Sequence, residues 1–191
     1  MNSGSGRGWA VLSVPSCHPD RLRAWVTRLA MEFEGIATLG AGLPGGAIHA
    51  GAIPEGGGAL GRLLAGLRVV PSSVQLVTFV EQEALEALGA PAVAEMLESL
   101  GDADAAVVRG VPVTDALKRV QGALVRGGVD REGLLVPRTP QIIRRAALDE
   151  ALEAVSGDDF DDPSVLLAAT GHRVRVLRGA PHPHTHERRG R

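Results

Sequence analysis

At 191 residues and 19.8 kDa the chain has the length of one domain able to bury a real core. A formal net charge of -2 and a pI near 6.3 give no whole-chain attraction to nucleic acid or to an anionic membrane surface. Cys17 is the only cysteine, which excludes an internal disulfide and a cysteine-built metal cluster within one chain and suits a reducing, cytoplasmic setting.

The first eight residues, Met1 to Gly8, are rich in glycine and serine; they read as a disordered tail and are too polar for a secretory signal. Trp9 to Val14 is a short apolar run ending at Pro15 and predicts a buried first strand. Asp20 then stands where it can cap a helix in which Leu22, Trp25, Val26, Leu29 and Phe33 form one apolar stripe. Gly35 to Gly61 is dense in glycine and weakly periodic, so it reads mostly as loop with an edge strand near Ala47 to Ile53. Leu60, Leu63, Leu64 and Leu67 mark a short amphipathic helix, and Val74 to Val80 has the β-branched character of a central strand. Two helices are expected next, Gln82 to Leu88 and Pro91 to Leu100, the second with proline in its first turn. A strand at Ala105 to Val111, helices near Gln141 to Val155 and Pro163 to Thr170, and a last strand at Val174 to Leu177 complete a parallel-type α/β pattern. No stretch is long and apolar enough for a membrane span.

Between these parts, Ala116 to Val120 and Ala123 to Val129 flank Gln121-Gly122 and read as two strands joined by a tight turn. An isolated two-stranded ribbon is marginal in water, so it is expected to pack on another chain or to fold back on its own domain. The acidic residues Asp158, Asp159, Asp161 and Asp162 lack the spacing of a calcium loop and read as a solvated turn. The closing His182-Pro183-His184-Thr185-His186 reads as part of a disordered tail, 180–191. The expected organisation is therefore one domain, 9–179, with an arm at about 114–131 and a tail at each end.

Several segments recur in an informative order: Val111-Pro112-Val113-Thr114-Asp115-Ala116-Leu117-Lys118-Arg119-Val120, then Asp130-Arg131-Glu132-Gly133-Leu134, then Arg138-Thr139-Pro140-Gln141. Phe160-Asp161-Asp162-Pro163-Ser164 and Gly171 to Gly179 follow. In order and spacing these resemble the methylerythritol-phosphate cytidylyltransferases of the non-mevalonate isoprenoid pathway. The resemblance implies a Rossmann-like nucleotidyltransferase sandwich whose projecting β-hairpin arm makes a homodimer. It also implies transfer of CMP from CTP to a sugar-alcohol phosphate with Mg²⁺, a displacement at phosphorus driven by positioning and by cations. On the matching positions, Arg131 and Thr139 would bind the acceptor's phosphate, since a guanidinium forks onto phosphate and a hydroxyl donates to it. Without the resemblance, Arg131 reads as a solvated arginine ending the hairpin and Thr139 as a helix cap. Asp115 and Lys118 lie beside the arm and are expected to hold the interface.

The chain also departs from the family. Where the family places a glycine-rich loop with an arginine and then a lysine on the triphosphate, this chain has Pro15-Ser16-Cys17-His18-Pro19. Where the family has a histidine-aspartate motif after its next central strand, this chain reads Val80-Glu81-Gln82. Ala116 replaces an arm threonine, and Lys118 is the only lysine, the other basic side chains being arginine. Three readings follow. The first is a homologue with impaired catalysis acting as a binding or regulatory subunit, alone or as a heterodimer with an active family member. The second is an active divergent enzyme in which Arg62, Arg68 and Glu81 replace the lost groups, and the third is a structural homodimer without ligand.

Overall fold

The computed structural model describes residues 8–40, 45–55, 58–155 and 160–179. The expected tails, apart from Gly8, and Asp158 and Asp159 of the acidic turn lie outside those residues. A seven-stranded sheet is built from β1 (Trp9–Val14), β2 (Gly35–Gly40), β3 (Ile48–Gly51), β4 (Leu76–Glu81), β5 (Ala106–Pro112), β8 (Leu135–Arg144) and β9 (Val174–Arg178). Their spatial order is β3-β2-β1-β4-β8-β5-β9. The arm is a separate two-stranded ribbon of β6 (Lys118–Gln121) and β7 (Leu124–Gly128).

Side chains alternate along each strand, so the sheet needs helices on both faces. On one face Val11, Phe79, Val108 and Ile143 are sealed by α2 (Gly58–Leu67), α4 (Arg145–Ala154) and α5 (Pro163–Ala169). On the other, Leu12, Val107 and Ile142 pack with α1 (Pro19–Leu29) and α3 (Gln82–Ser99), whose buried residues include Leu22, Val26, Val93 and Met96. Each fully buried side chain of this size contributes about 1.5–3 kcal/mol by leaving water.

The structure corrects the sequence reading in five places. The glycine-dense stretch contains a buried strand, β2, in which Ile36, Ala37, Thr38 and Leu39 are at most 2 % exposed. It has neighbours on both edges and helices on both faces, so it shows no alternation to read. Residues 141–144, expected in a helix, belong to β8; that strand too is buried on both faces, and a short apolar run does not distinguish strand from helix. The chain leaves β5 through the arm and returns at the same end of the sheet. β8 is therefore antiparallel to both of its neighbours, and the sheet is mixed rather than parallel. Finally, α3 runs unbroken through Pro91, because Ala84 before it and Val93 and Met96 after it all pack into one core. At α1 the cap is His18, whose Nδ1 accepts from the Asp20 amide, and Asp20 lies inside the first turn.

Candidate functional site

In an open α/β sheet, ligands bind at the carboxyl ends of the strands where the strand order reverses direction. Here β2 and β3 extend the sheet to one side of β1 while β4 lies on the other, so the reversal falls between β1 and β4. A crevice of about 330 Å³ opens at that place, lined by Ser13, Pro15, Ile53, Arg62, Glu81, Gln82 and Glu83.

Arg62 reaches it because of how α2 is seated. Gly66, one turn later on the same face, lies so close to β1 that a methyl group there would overlap the Val11 side chain. That contact holds the helix down on the sheet and carries Arg62, near the amino end of α2, past the strand ends. Its guanidinium pairs with the carboxylate of Glu81, the last residue of β4. The pair is about one-third exposed or less, and Arg62 Nε is buried without a hydrogen-bond partner. Glu81 leads straight into α3, where Glu83 lies in the first turn, a favourable place for negative charge. The wall opposite is the connection from β1 to α1, four residues from Pro15 to His18 without glycine, lysine or arginine. The Ser16 amide donates to Gln82 Oε1 at 3.4 Å and closes that wall against α3.

Of the residues singled out in the sequence, Arg62 and Glu81 line the crevice, Arg68 does not, and Thr139 adjoins it through Glu81. Thr139 lies in β8, 6 % exposed, and its hydroxyl oxygen accepts from the Glu81 amide at 3.2 Å, so it is not a helix cap. Two residues on, Gln141 is fully buried and donates from Nε2 to Asp162 Oδ2 at 2.8 Å, while Asp162 Oδ1 caps α5 through the Ser164 and Val165 amides. Arg131 is exposed just beyond β7 and donates to the Thr114 carbonyl, tying together the two stems of the arm root. Asp115 and Lys118 are exposed on the arm and have no ion-pair partner among the described residues. Every residue of β6 and β7 is exposed, including Val120, Leu124 and Val125, and the turn between them uses Gly122 at φ +59.

The opposite edge of the sheet holds a separate charge cluster. Asp104, 1 % exposed, accepts from Arg175 Nε at 2.6 Å and from the Gly101 amide at 3.0 Å, with Arg173 Nε 2.8 Å from its other oxygen. The hydrogen bond from Arg175 is the chief cause holding its carboxyl below the usual range. Burial opposes this, and the Gly101 amide and the charges of Arg175 and Arg173 add to it. Arg144 binds the Asp104 and Gly101 carbonyls, so the cluster locks the turn before β5 to β8 and β9.

The model of the IspD family, 2-C-methyl-D-erythritol 4-phosphate cytidylyltransferase, matches residues 53–183, about two-thirds of the chain. The chain belongs to this family. The bifunctional enzyme IspD/IspF of Desulfotalea psychrophila is 31% identical over 170 residues, a match covering 89% of this chain and 39% of that protein. The enzyme of the same description from Clavibacter michiganensis is 47% identical over 76 residues, 39% of this chain and 18% of that protein. The chain thus spans about two-fifths or less of the length of these curated relatives. The crystal structure of 4-diphosphocytidyl-2C-methyl-D-erythritol synthase from Anaerococcus prevotii superposes with TM-score 0.67 at 15% identity, covering 92% of this chain and 90% of that one. The cytidylyltransferase of Thermus thermophilus superposes with TM-score 0.60 at 22% identity, covering 90% and 92%. These likenesses establish the IspD fold, a nucleotidyltransferase α/β sandwich with a hairpin arm. The IspD family match begins at residue 53, after β1, α1, β2 and β3, so the wall formed by the β1–α1 connection lies outside it.

Proposed function

We propose that this chain is an IspD-family protein that does not transfer CMP by itself and serves as a cytoplasmic, arm-mediated dimer partner, of itself or of an active cytidylyltransferase. The observation that carries the reading is the charge at the crevice: among the described lining residues the one arginine, Arg62, is already engaged by Glu81, and Glu83 adds a second carboxylate. A nucleoside triphosphate entering there meets a net negative lining and a four-residue connection too short to wrap its phosphates. Phosphoryl transfer depends on cations and donors already aimed at the developing charge.

The Mg²⁺ of the family chemistry fits this donor set poorly. Such an ion is held by one or two carboxylates together with substrate phosphates. Here Glu81 is paired with Arg62, Ser13 and Gln82 are uncharged, and Glu83 is the one lining carboxylate without an ion-pair partner among the described residues. Arg131 and Thr139 remain as candidate phosphate-binding groups, and Asp115 and Lys118 as interface groups on the arm.

The test is pyrophosphate release from CTP in the presence of methylerythritol phosphate and Mg²⁺. No release above background is expected from the pure protein at high concentration; steady turnover would overturn the proposal. The second reading, an active divergent cytidylyltransferase acting on methylerythritol phosphate, is favoured by the hydrogen bond that joins Thr139 to Glu81. It requires Glu81→Gln to abolish turnover.

A further inference from the structure

Arg109 and Arg138 are Cα partners across the antiparallel β5–β8 ladder, so both side chains leave the sheet on the same face. It is the face that α1 and α3 cover further down, since Leu177, beside Arg109 on β9, packs with that core. Arg109 is half-buried, and its Nε and Nη2 each lie 3.5 Å from the position a Cβ at Gly179 would occupy, which places the guanidinium over the end of β9. Arg138 is exposed.

Among the described residues neither arginine has an ion-pair or hydrogen-bond partner. Elsewhere Arg62, Arg145, Arg173 and Arg175 each hold a carboxylate. Like charges placed directly opposite on neighbouring strands destabilise a sheet. The chain carries 22 acidic residues, and none of the described ones is set against this pair. Two forked guanidinium donors side by side match the oxygens of a phosphoryl group. The next pair on the same face, Val111 and Val136, is partly exposed and offers an apolar shelf.

We infer that Arg109 and Arg138 form a binding site for a phosphate monoester whose organic part lies along Val111 and Val136. The site stands apart from the crevice between β1 and β4, and the inference does not depend on the proposed function.

The experiment is calorimetric titration of phenyl phosphate into the full chain at fixed ionic strength, with Arg138→Gln, Arg109→Gln, the double variant and, as a control at an exposed arginine of α1, Arg28→Gln in parallel. Saturable binding is expected in the wild type. Each single variant at 109 or 138 should weaken it at least tenfold, the double variant should abolish it, and Arg28→Gln should leave it unchanged. Without ligand, the double variant should melt at or above the wild-type temperature, because the repulsion between the two cations is gone. Absence of saturable wild-type binding, binding kept by the double variant, binding lost in Arg28→Gln, or a double variant that melts below wild type would each overturn the inference.

Discussion

Gly66→Ala tests how α2 is held against the sheet. The added methyl would overlap Val11 Cγ1 and stand 3.3 Å from Val11 Cβ, and Val11 is a fully buried residue of a central strand that cannot turn away. Overpacking of this kind costs about 1–3 kcal/mol. Replacing a glycine with alanine in a helix returns up to about 1 kcal/mol of helix propensity, and less here in the last turn of α2. The net loss should be about 1–2 kcal/mol, read as a lower urea midpoint with unchanged slope and as a melting temperature lower by about 2–8 °C. Val11→Ala removes the obstructing methyls, so Gly66→Ala introduced into that background should be neutral or stabilising. The double-mutant cycle should therefore give a coupling of about 1 kcal/mol or more. If Gly66→Ala is neutral in the wild-type background, or if the two changes simply add, α2 is not seated by this contact and the placing of Arg62 at the crevice loses its explanation.

Three further outcomes are expected. Deleting residues 116–129 should convert a dimer into monomers in analytical ultracentrifugation while leaving the far-ultraviolet spectrum of the domain in place, because β6 and β7 are wholly exposed; a dimer that survives would refute the arm as the contact. Asp162→Ala strips the cap from α5 and leaves the Gln141 amide unpaired inside the core, and chemical denaturation should register a loss of about 2–4 kcal/mol. Asp104 has its carboxyl lowered in the folded state, so its stabilising effect is complete above the ordinary carboxylate range and disappears as pH falls through the folded value. Asp104→Asn should thus lower the melting temperature at neutral pH and narrow its gap from wild type below about pH 4; a gap constant from pH 7 to 3 would count against the cluster.

Much of the architecture was legible because it is written locally. β1 and β4 are largely apolar runs, β5 and β9 are valine-rich runs broken by Arg109 and Arg175, and the leucines of α2 and the apolar stripe of α1 follow helical spacing. The arm was readable from two polar-flanked strands around Gln121-Gly122, and the ordered segments from Val111 to Gln141 carried the family. Thr139 was singled out through that order alone, and nothing in its local sequence marks it as part of a strand.

The remainder was decided by tertiary structure. β2 and β8 are strands because each lies between two other strands and under helices on both faces, which removes the alternation that would announce them. α3 continues through Pro91 because packing on both sides of the proline outweighs the local break. The crevice is the clearest instance: Arg62 and Glu81 are 19 residues apart on a helix and a strand end, and neither position marks a charge pair. What joins them is the crossover of α2 onto β1, seated through Gly66, which brings the amino end of that helix to the carboxyl end of β4. Composition determined that all but one of the chain's basic side chains besides histidine would be arginine; only the fold decided that Arg62, at the crevice between β1 and β4, would be paired with Glu81.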